Sequence, residues 1–300
     1  MRFAAAYSPS GLSGLFSAYT EPSDPYKKGA LGAGLALEKG VRVEVWVEES
    51  EKQDLECYLN GQKAKLGLVE KLQAKIREKG GVEGSYKIIV KQHVSAPIGG
   101  GLGTSGASAL ATALALGKAL GAKMNYQDLA REAHVAEIEE GTGLGTVSGL
   151  VVGGAVAVAR PGAPGTDMVV RLLADPSVKV VVGFFSPINK REALSRVGIE
   201  RVNELGRRLL DRLLEEPTLE RFMFYSRRFA EEAGFMTERL KKAFATVERA
   251  GAVGVSQAMI GETVFSIAYD DNVEKVVDAL KSLGAITLVS GIEWRPAGLL

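Results

Sequence analysis

The sequence predicts an α+β protein of two domains, covering residues 1–166 and 167–300, and its pattern of strands, breaks and helices carries that reading. Strand-like alternation leads into a Gly-rich loop and then two alanine-rich helical stretches. A Pro/Gly cluster at Arg160–Gly165 interrupts the chain, and strand and helix patterns resume beyond it. With 300 residues, 46% hydrophobic and 24% charged, there is enough apolar chain to give each domain a core.

In the first domain, Val41–Val47 alternates valines with Arg42, Glu44 and Trp46, the period of a half-buried strand. Asp54–Leu59 runs into Asn60-Gly61, a dipeptide that tolerates positive φ and so predicts a tight hairpin. Leu68, Leu72 and Ile76 give Gly67–Lys79 helical spacing. In the strand Tyr86–Val94, residues Ile88, Val90, Gln92 and Val94 share one face. Ser105–Leu120 and Tyr126–Glu139 are predicted helices, the second with Asn125 as N-cap and Asp128 three residues later. The apolar run Val147–Val158, with Gly153-Gly154 inside it, predicts paired strands meeting at a bend.

The second domain begins with a buried strand at Val178–Phe185. Helices follow near Val202–Glu215, Leu219–Ala233 and Met236–Ala250. Thr263–Tyr269, Val273–Leu283 and Ala285–Val289 close the pattern as strand, helix and strand.

Composition narrows the function. No run approaches the roughly 20 apolar residues that span a bilayer, and MRFAAAYSPSG lacks a signal-peptide pattern, so the expected location is cytoplasmic, away from membranes. Cys57 is the sole cysteine and there are two histidines, which excludes an intrachain disulfide and a Cys/His zinc site; any metal must be held by oxygen. A formal charge of +1 with interspersed signs lacks the footprint of a nucleic-acid-binding protein. The expected partner is a small ligand.

The most informative segment is Pro97-Ile98-Gly99-Gly100-Gly101-Leu102-Gly103-Thr104-Ser105-Gly106-Ala107, between a strand and a helix. Glycines let the backbone curl and approach a ligand, and the helix that follows offers unpaired N–H groups and a positive dipole end to phosphate. Pro97, Gly99, Gly100, Gly101, Leu102, Gly103, Thr104, Ser105 and Gly106 are therefore the candidate nucleotide-binding residues, against the alternative of a plain Gly turn with a hydroxyl cap. The P-loop lysine is missing, as is the acid of a dinucleotide fingerprint. On the next helix His134 and Glu137 stand at i and i+3, on neighbouring positions. Glu137 can share Mg²⁺ with Ser105, or be a solvated acid like Glu139 and Glu140.

The Gly-rich segment resembles the P-x-x-x-G-L-G-[ST]-S-[AG]-A signature of the GHMP kinases, among them galactokinase, homoserine kinase and mevalonate kinase. That resemblance implies an N-terminal domain like ribosomal protein S5 domain 2, a ferredoxin-like C-terminal domain, ATP as phosphate donor, and Glu137 as the Mg²⁺ ligand. Within the superfamily the chain looks most like the archaeal pantoate kinases. The likeness rests on Ser8–Phe16, on Asp24-Pro25-Tyr26-Lys27-Lys28-Gly29-Ala30-Leu31-Gly32-Ala33-Gly34, on Ala133-His134-Val135-Ala136-Glu137, on Gly153-Gly154, on Pro161–Gly165 and on Arg227–Glu231. Read alone, Asp24–Gly34 is rather a Gly turn with solvated lysines. By this resemblance His134 contacts substrate.

Three positions depart from the pattern: Thr146 stands where G-L-G-D has its catalytic Asp, Ala30 replaces a serine, and Val158 stands where an arginine is common. The resemblance implies phosphorylation of pantoate to 4-phosphopantoate in coenzyme A synthesis, with Ser105, Glu137, His134 and Thr146 at the catalytic positions. A homodimer is compatible with it. An acidic acceptor needs a cationic clamp, for which Lys28, Arg160, Lys190 and Arg191 are candidates, Lys28 and Arg191 first by their loop context. The departures keep open a kinase for another hydroxy acid of the mevalonate type, and a nucleotide-binding paralogue without activity.

Overall fold

A computed structural model describes residues 1–187, 197–259 and 261–300. Strands β1 (Arg2–Tyr19) and β2 (Gly29–Glu49) form a long antiparallel hairpin, irregular between Ser8 and Ser10 and between Ser13 and Leu15. In the stretch Asp24–Gly34 a turn does form, closed by Lys27 N–H donating to Asp24 C=O at 3.0 Å, but the glycines at 29, 32 and 34 belong to strand β2. The reason is close approach: a methyl group built on Gly34 would stand 2.3 Å from the Leu12 carbonyl oxygen, and one on Gly40 2.1 Å from that of Ser8. Strand β3 (Asp54–Leu59) turns into the short β4 (Gln62–Lys63) through Asn60 at φ 48° and Gly61 at φ 83°, the hairpin the sequence predicts.

Helix α1 (Gly67–Lys79) precedes strand β5 (Tyr86–Val94), which lies antiparallel to the second half of β2 and parallel to β3. The alternating valines 41, 43, 45 and 47 pack with Ile88 and Val90 beneath helices α2 (Thr104–Leu120) and α3 (Tyr126–Glu140). Gln92, on the same buried face, is satisfied by the Thr112 hydroxyl at 2.9 Å. At the start of α3 the capping box is complete: the Asn125 side chain accepts from Asp128 N–H at 2.9 Å, and Asp128 accepts from Asn125 N–H at 3.2 Å.

Val147–Val158 is not a pair of strands. Its first part is a short helix, α4 (Thr146–Leu150), and only β6 (Ala155–Arg160) is strand, with Gly153 (φ 72°) and Gly154 (φ 86°) making the reversal. Val147 and Leu150, three apart, both face the core, and a short apolar run carries no period that separates helix from strand. Strand β6 pairs with the first half of β2, and β7 (Met168–Arg171) pairs with β6.

The second sheet is antiparallel, with β8 (Lys179–Ser186) between β11 (Ile286–Gly291) and β10 (Glu262–Ala268), and β9 (Gly254–Gln257) beyond β10. Helices α5 (Ile199–Glu215), α6 (Leu219–Ala233), α7 (Glu238–Arg249) and α8 (Asp270–Lys281) supply the other elements of this α+β half. Phe222, Phe229, Phe244 and Phe265 are fully buried here, each such ring contributing on the order of 2 kcal/mol of burial free energy. The last strand, β12 (Gly298–Leu299), returns to pair with β1. Helix α5 also lies on β1: the Asn203 amide accepts from Ala18 N–H at 2.8 Å and donates to Ala18 C=O at 3.1 Å. Gly206 permits that approach, since a methyl there would stand 1.9 Å from the Phe16 carbonyl oxygen. Among the described residues no helix is long and apolar enough to cross a membrane.

Candidate active site

The Gly-rich loop joins the end of β5 to α2, as the sequence predicts. Gly99, Gly101 and Gly103 have φ of 81°, 75° and 58°, a region that side chains make costly. Both halves of the chain press on this loop. Gly11 N–H donates to Leu102 C=O at 3.0 Å, and methyl groups built on Gly100 and Gly101 would stand 3.1 Å from the Phe184 ring and from the Met259 carbonyl oxygen. Pro97, Thr104 and Ser105 are half-exposed, whereas Leu102 is buried and anchors the turn.

Helix α2 starts without a side-chain cap and without an acid in its first turn. No side chain of the helix's own first turn caps its leading N–H groups or opposes its dipole, an arrangement suited to an anion such as a triphosphate.

Glu137 is buried on α3, and its carboxylate is aimed at that helix start: a methyl on Gly106 would stand 2.8 Å from Oε2, and one on Gly143 2.7 Å from Oε1. The Thr142 hydroxyl donates to Oε1 at 3.3 Å. Ser105 immediately precedes Gly106 in the first turn of α2. Among the described residues no cluster of three or more His, Cys, Asp or Glu forms a protein-only metal cage. One carboxylate with one hydroxyl on the facing helix start suits Mg²⁺, an ion that keeps waters and takes phosphate oxygens for its other ligands.

His134, also buried, holds the Lys28 carbonyl with Nε2 at 2.9 Å, so Nε2 carries the proton and donates. Burial lowers its pKa from the ordinary 6.5, against the opposing pull of the Lys28 carbonyl and of Asp167. Lys28 thus enters through its backbone. Thr146 is the first residue of α4, and its methyl group lies 2.9 Å and 2.7 Å from where methyl groups on Gly11 and Gly103 would sit. Thr146, Gly106 and Glu137 are accordingly one cluster, with His134 a helical turn away. Arg191 and Lys190 lie outside the described residues.

Two groups escaped the sequence reading. Tyr26 donates to Glu132 Oε1 at 2.7 Å, and Lys79 pairs with the same oxygen at 2.7 Å and also contacts the Tyr26 hydroxyl. This buried acid ties the Tyr26–Lys28 segment to α1 and α3. Asp167 approaches His134 and Ser148; burial raises its pKa, while hydrogen bonding from Ser148 and from Gly165 N–H, 3.0 Å from Oδ1, favours the charged form. Neither has a local motif, because their partners come from distant parts of the chain.

Residues 66–143 match the GHMP kinases N terminal domain and residues 211–286 match GHMP kinases C terminal. A pantoate kinase from Methanocaldococcus jannaschii is 31% identical over 277 residues, 92% of this chain and 97% of that one. A second, from Thermococcus kodakarensis, is 31% identical over 268 residues, 87% of this chain and 86% of that one. Among solved structures, a phosphotransferase related to the CoA biosynthesis pathway superposes with a TM-score of 0.90 at 27% identity, covering 99% of this chain and 98% of that one. A homoserine kinase from Cytophaga hutchinsonii shares the fold, with a TM-score of 0.76 at 17% identity over 100% of this chain and 98% of its own.

Proposed function

The chain belongs to the GHMP kinases, and from that premise we propose that it transfers the γ-phosphoryl group of ATP to the terminal hydroxyl of pantoate, giving 4-phosphopantoate for coenzyme A synthesis. The observation that carries the reading is the uncapped, acid-free start of α2 facing the buried Glu137 carboxylate, in a chain that pantoate kinases match along most of its length.

The first-turn N–H groups of α2 and the loop from Gly99 hold the phosphates. Ser105 and Glu137 are the residues that would hold Mg²⁺. When bound, the Mg²⁺–ATP complex supplies the phosphoryl group and the neutralising charge. His134, neutral because it is buried, keeps the Lys28 backbone in place beside the acceptor. Thr146 offers no base at neutral pH, which phosphoryl transfer tolerates, since a loose transition state draws mostly on positioning and charge neutralisation.

The test is ATP consumption with Mg²⁺ across a panel of hydroxy acids, with the product identified by mass. Turnover of pantoate well above that of mevalonate or its phosphates supports the reading; preference for another acid moves the substrate. Thr146 favours a second reading, a nucleotide-binding protein without transfer, which ATP binding with no phosphorylated product from any acid would support.

A further inference from the structure

Where β1, β2 and α5 meet, the surface opens into a cleft of about 570 Å³, within the range of small-ligand sites. Its walls include Ser17, Lys27, Arg160, Thr166, Asn203 and Arg207, and Glu21 is the acid on its lining. Among the described residues Lys27, Arg160 and Arg207 have no carboxylate partner. Of the arginines on α5 and α6 outside the cleft, Arg208 takes Glu232, Arg212 takes Glu215, Arg221 takes Glu216 and Arg228 takes Glu232, whereas Arg201 reaches only the Glu232 carbonyl, at 3.3 Å.

The cleft guanidinium groups are braced by backbone. Arg160 Nε donates to Thr166 C=O at 3.0 Å and Nη2 to Asp167 C=O at 3.3 Å, while Arg207 Nε donates to Asn203 C=O at 3.4 Å. Each keeps further N–H donors for a ligand, and a guanidinium whose orientation is already fixed loses little freedom on binding.

The cleft also lies next to the proposed chemistry. Ala18 on its wall pairs with Ala30, whose Cβ stands 2.8 Å from where a methyl on Gly145 would sit, and Gly145 is the N-cap of α4, just before Thr146. Lys27 precedes Lys28, the residue that His134 holds. A small molecule with its hydroxyl at the Thr146 corner can therefore extend its other end into a cationic cleft. We infer that this cleft binds the carboxylate of the acceptor, with Lys27, Arg160 and Arg207 as its cationic partners and α5 contributed from the second half of the chain. The inference rests on the acid-acceptor reading above.

The experiment is steady-state kinetics on Lys27→Gln and Arg207→Gln, with Arg208→Gln, which lies outside the cleft, as control and circular dichroism to verify folding. Each cleft variant raises KM for pantoate by about tenfold or more, the loss of a charge-assisted hydrogen bond, while KM for ATP stays within about twofold. That penalty shrinks with the uncharged amide of the same acceptor, and Arg208→Gln behaves as the parent. A pantoate KM within about twofold of the parent in both cleft variants overturns the assignment. If the parent protein transfers nothing to pantoate, the functional reading fails separately, and calorimetric titration with a panel of hydroxy acids decides the cleft: binding lost in Arg207→Gln supports it, and binding retained in both variants, or of no acid at all, overturns it.

Discussion

The Glu137 carboxylate takes the space that a side chain on Gly106 would need: a methyl there would stand 2.8 Å from Oε2 and 2.9 Å from the Thr146 Cβ. The acid can approach the start of α2 this closely because one residue has no Cβ. Gly106→Ala keeps α2 helical yet displaces the carboxylate, and a misplacement near 1 Å can cost about a hundredfold in rate. Turnover near the parent's, with unchanged far-ultraviolet dichroism, would show that the Glu137 position is not critical.

Ser105→Ala and Glu137→Gln remove, respectively, the hydroxyl and the charge proposed for Mg²⁺. Each is expected to lower kcat/KM by about 10²-fold or more, the scale of losing one charge-stabilising group at a reacting phosphate. Glu137→Gln in addition raises the Mg²⁺ concentration at half-maximal rate. A Mg²⁺ titration that superimposes on the parent's removes the metal assignment.

Thr146 packs its methyl group against Gly11 and Gly103 and has no group that titrates near neutrality. Thr146→Val preserves that packing and removes at most one neutral hydrogen bond, so kcat should stay within about tenfold of the parent. A loss beyond a hundredfold would place the hydroxyl on the reacting atoms.

His134 is held neutral by burial, with a folded pKa below its ordinary 6.5. The unfolded chain therefore binds the proton first: the His134 contribution to stability is complete above 6.5 and is lost as pH falls through the folded value. His134→Gln keeps a donor for the Lys28 carbonyl and should flatten the fall in stability between about pH 7 and pH 5, by at most about 1.4 kcal/mol per pH unit. Urea melts of both proteins across that range measure the difference; parallel slopes would mean that His134 does not titrate with folding.

What the sequence disclosed was local. The α3 capping box, the Asn60-Gly61 hairpin and the Gly-rich loop before α2 each lie within a few residues, where side chain and backbone decide the conformation together. Long-range partnerships were hidden. Over Ser8–Tyr19 and Gly29–Gly40 the β1–β2 hairpin is rich in Gly and Ser because two backbones pass closely, so this part lacks the β-branched composition that marks a strand, unlike Val41–Val47. Likewise Lys27 and Arg207 carry no signal as charges in the sequence, which offers only Arg160 of the three as a candidate clamp, and the docking of α5 on β1 gathers them. Lys28, a first candidate by its loop context, gives its carbonyl to His134, while its neighbour Lys27, not among the candidates, lines the cleft.

Gly206 sits between Asn203, clamped to Ala18, and Arg207 on the cleft wall. Anything larger than hydrogen at that position would wedge the helix off the strand and carry the guanidinium outward with it. Under the cleft assignment inferred above, discrimination among acceptors is governed partly by an atom that is missing, far from the bond being made, and drift at this glycine alone would retune which acids fit while every charged residue stayed the same.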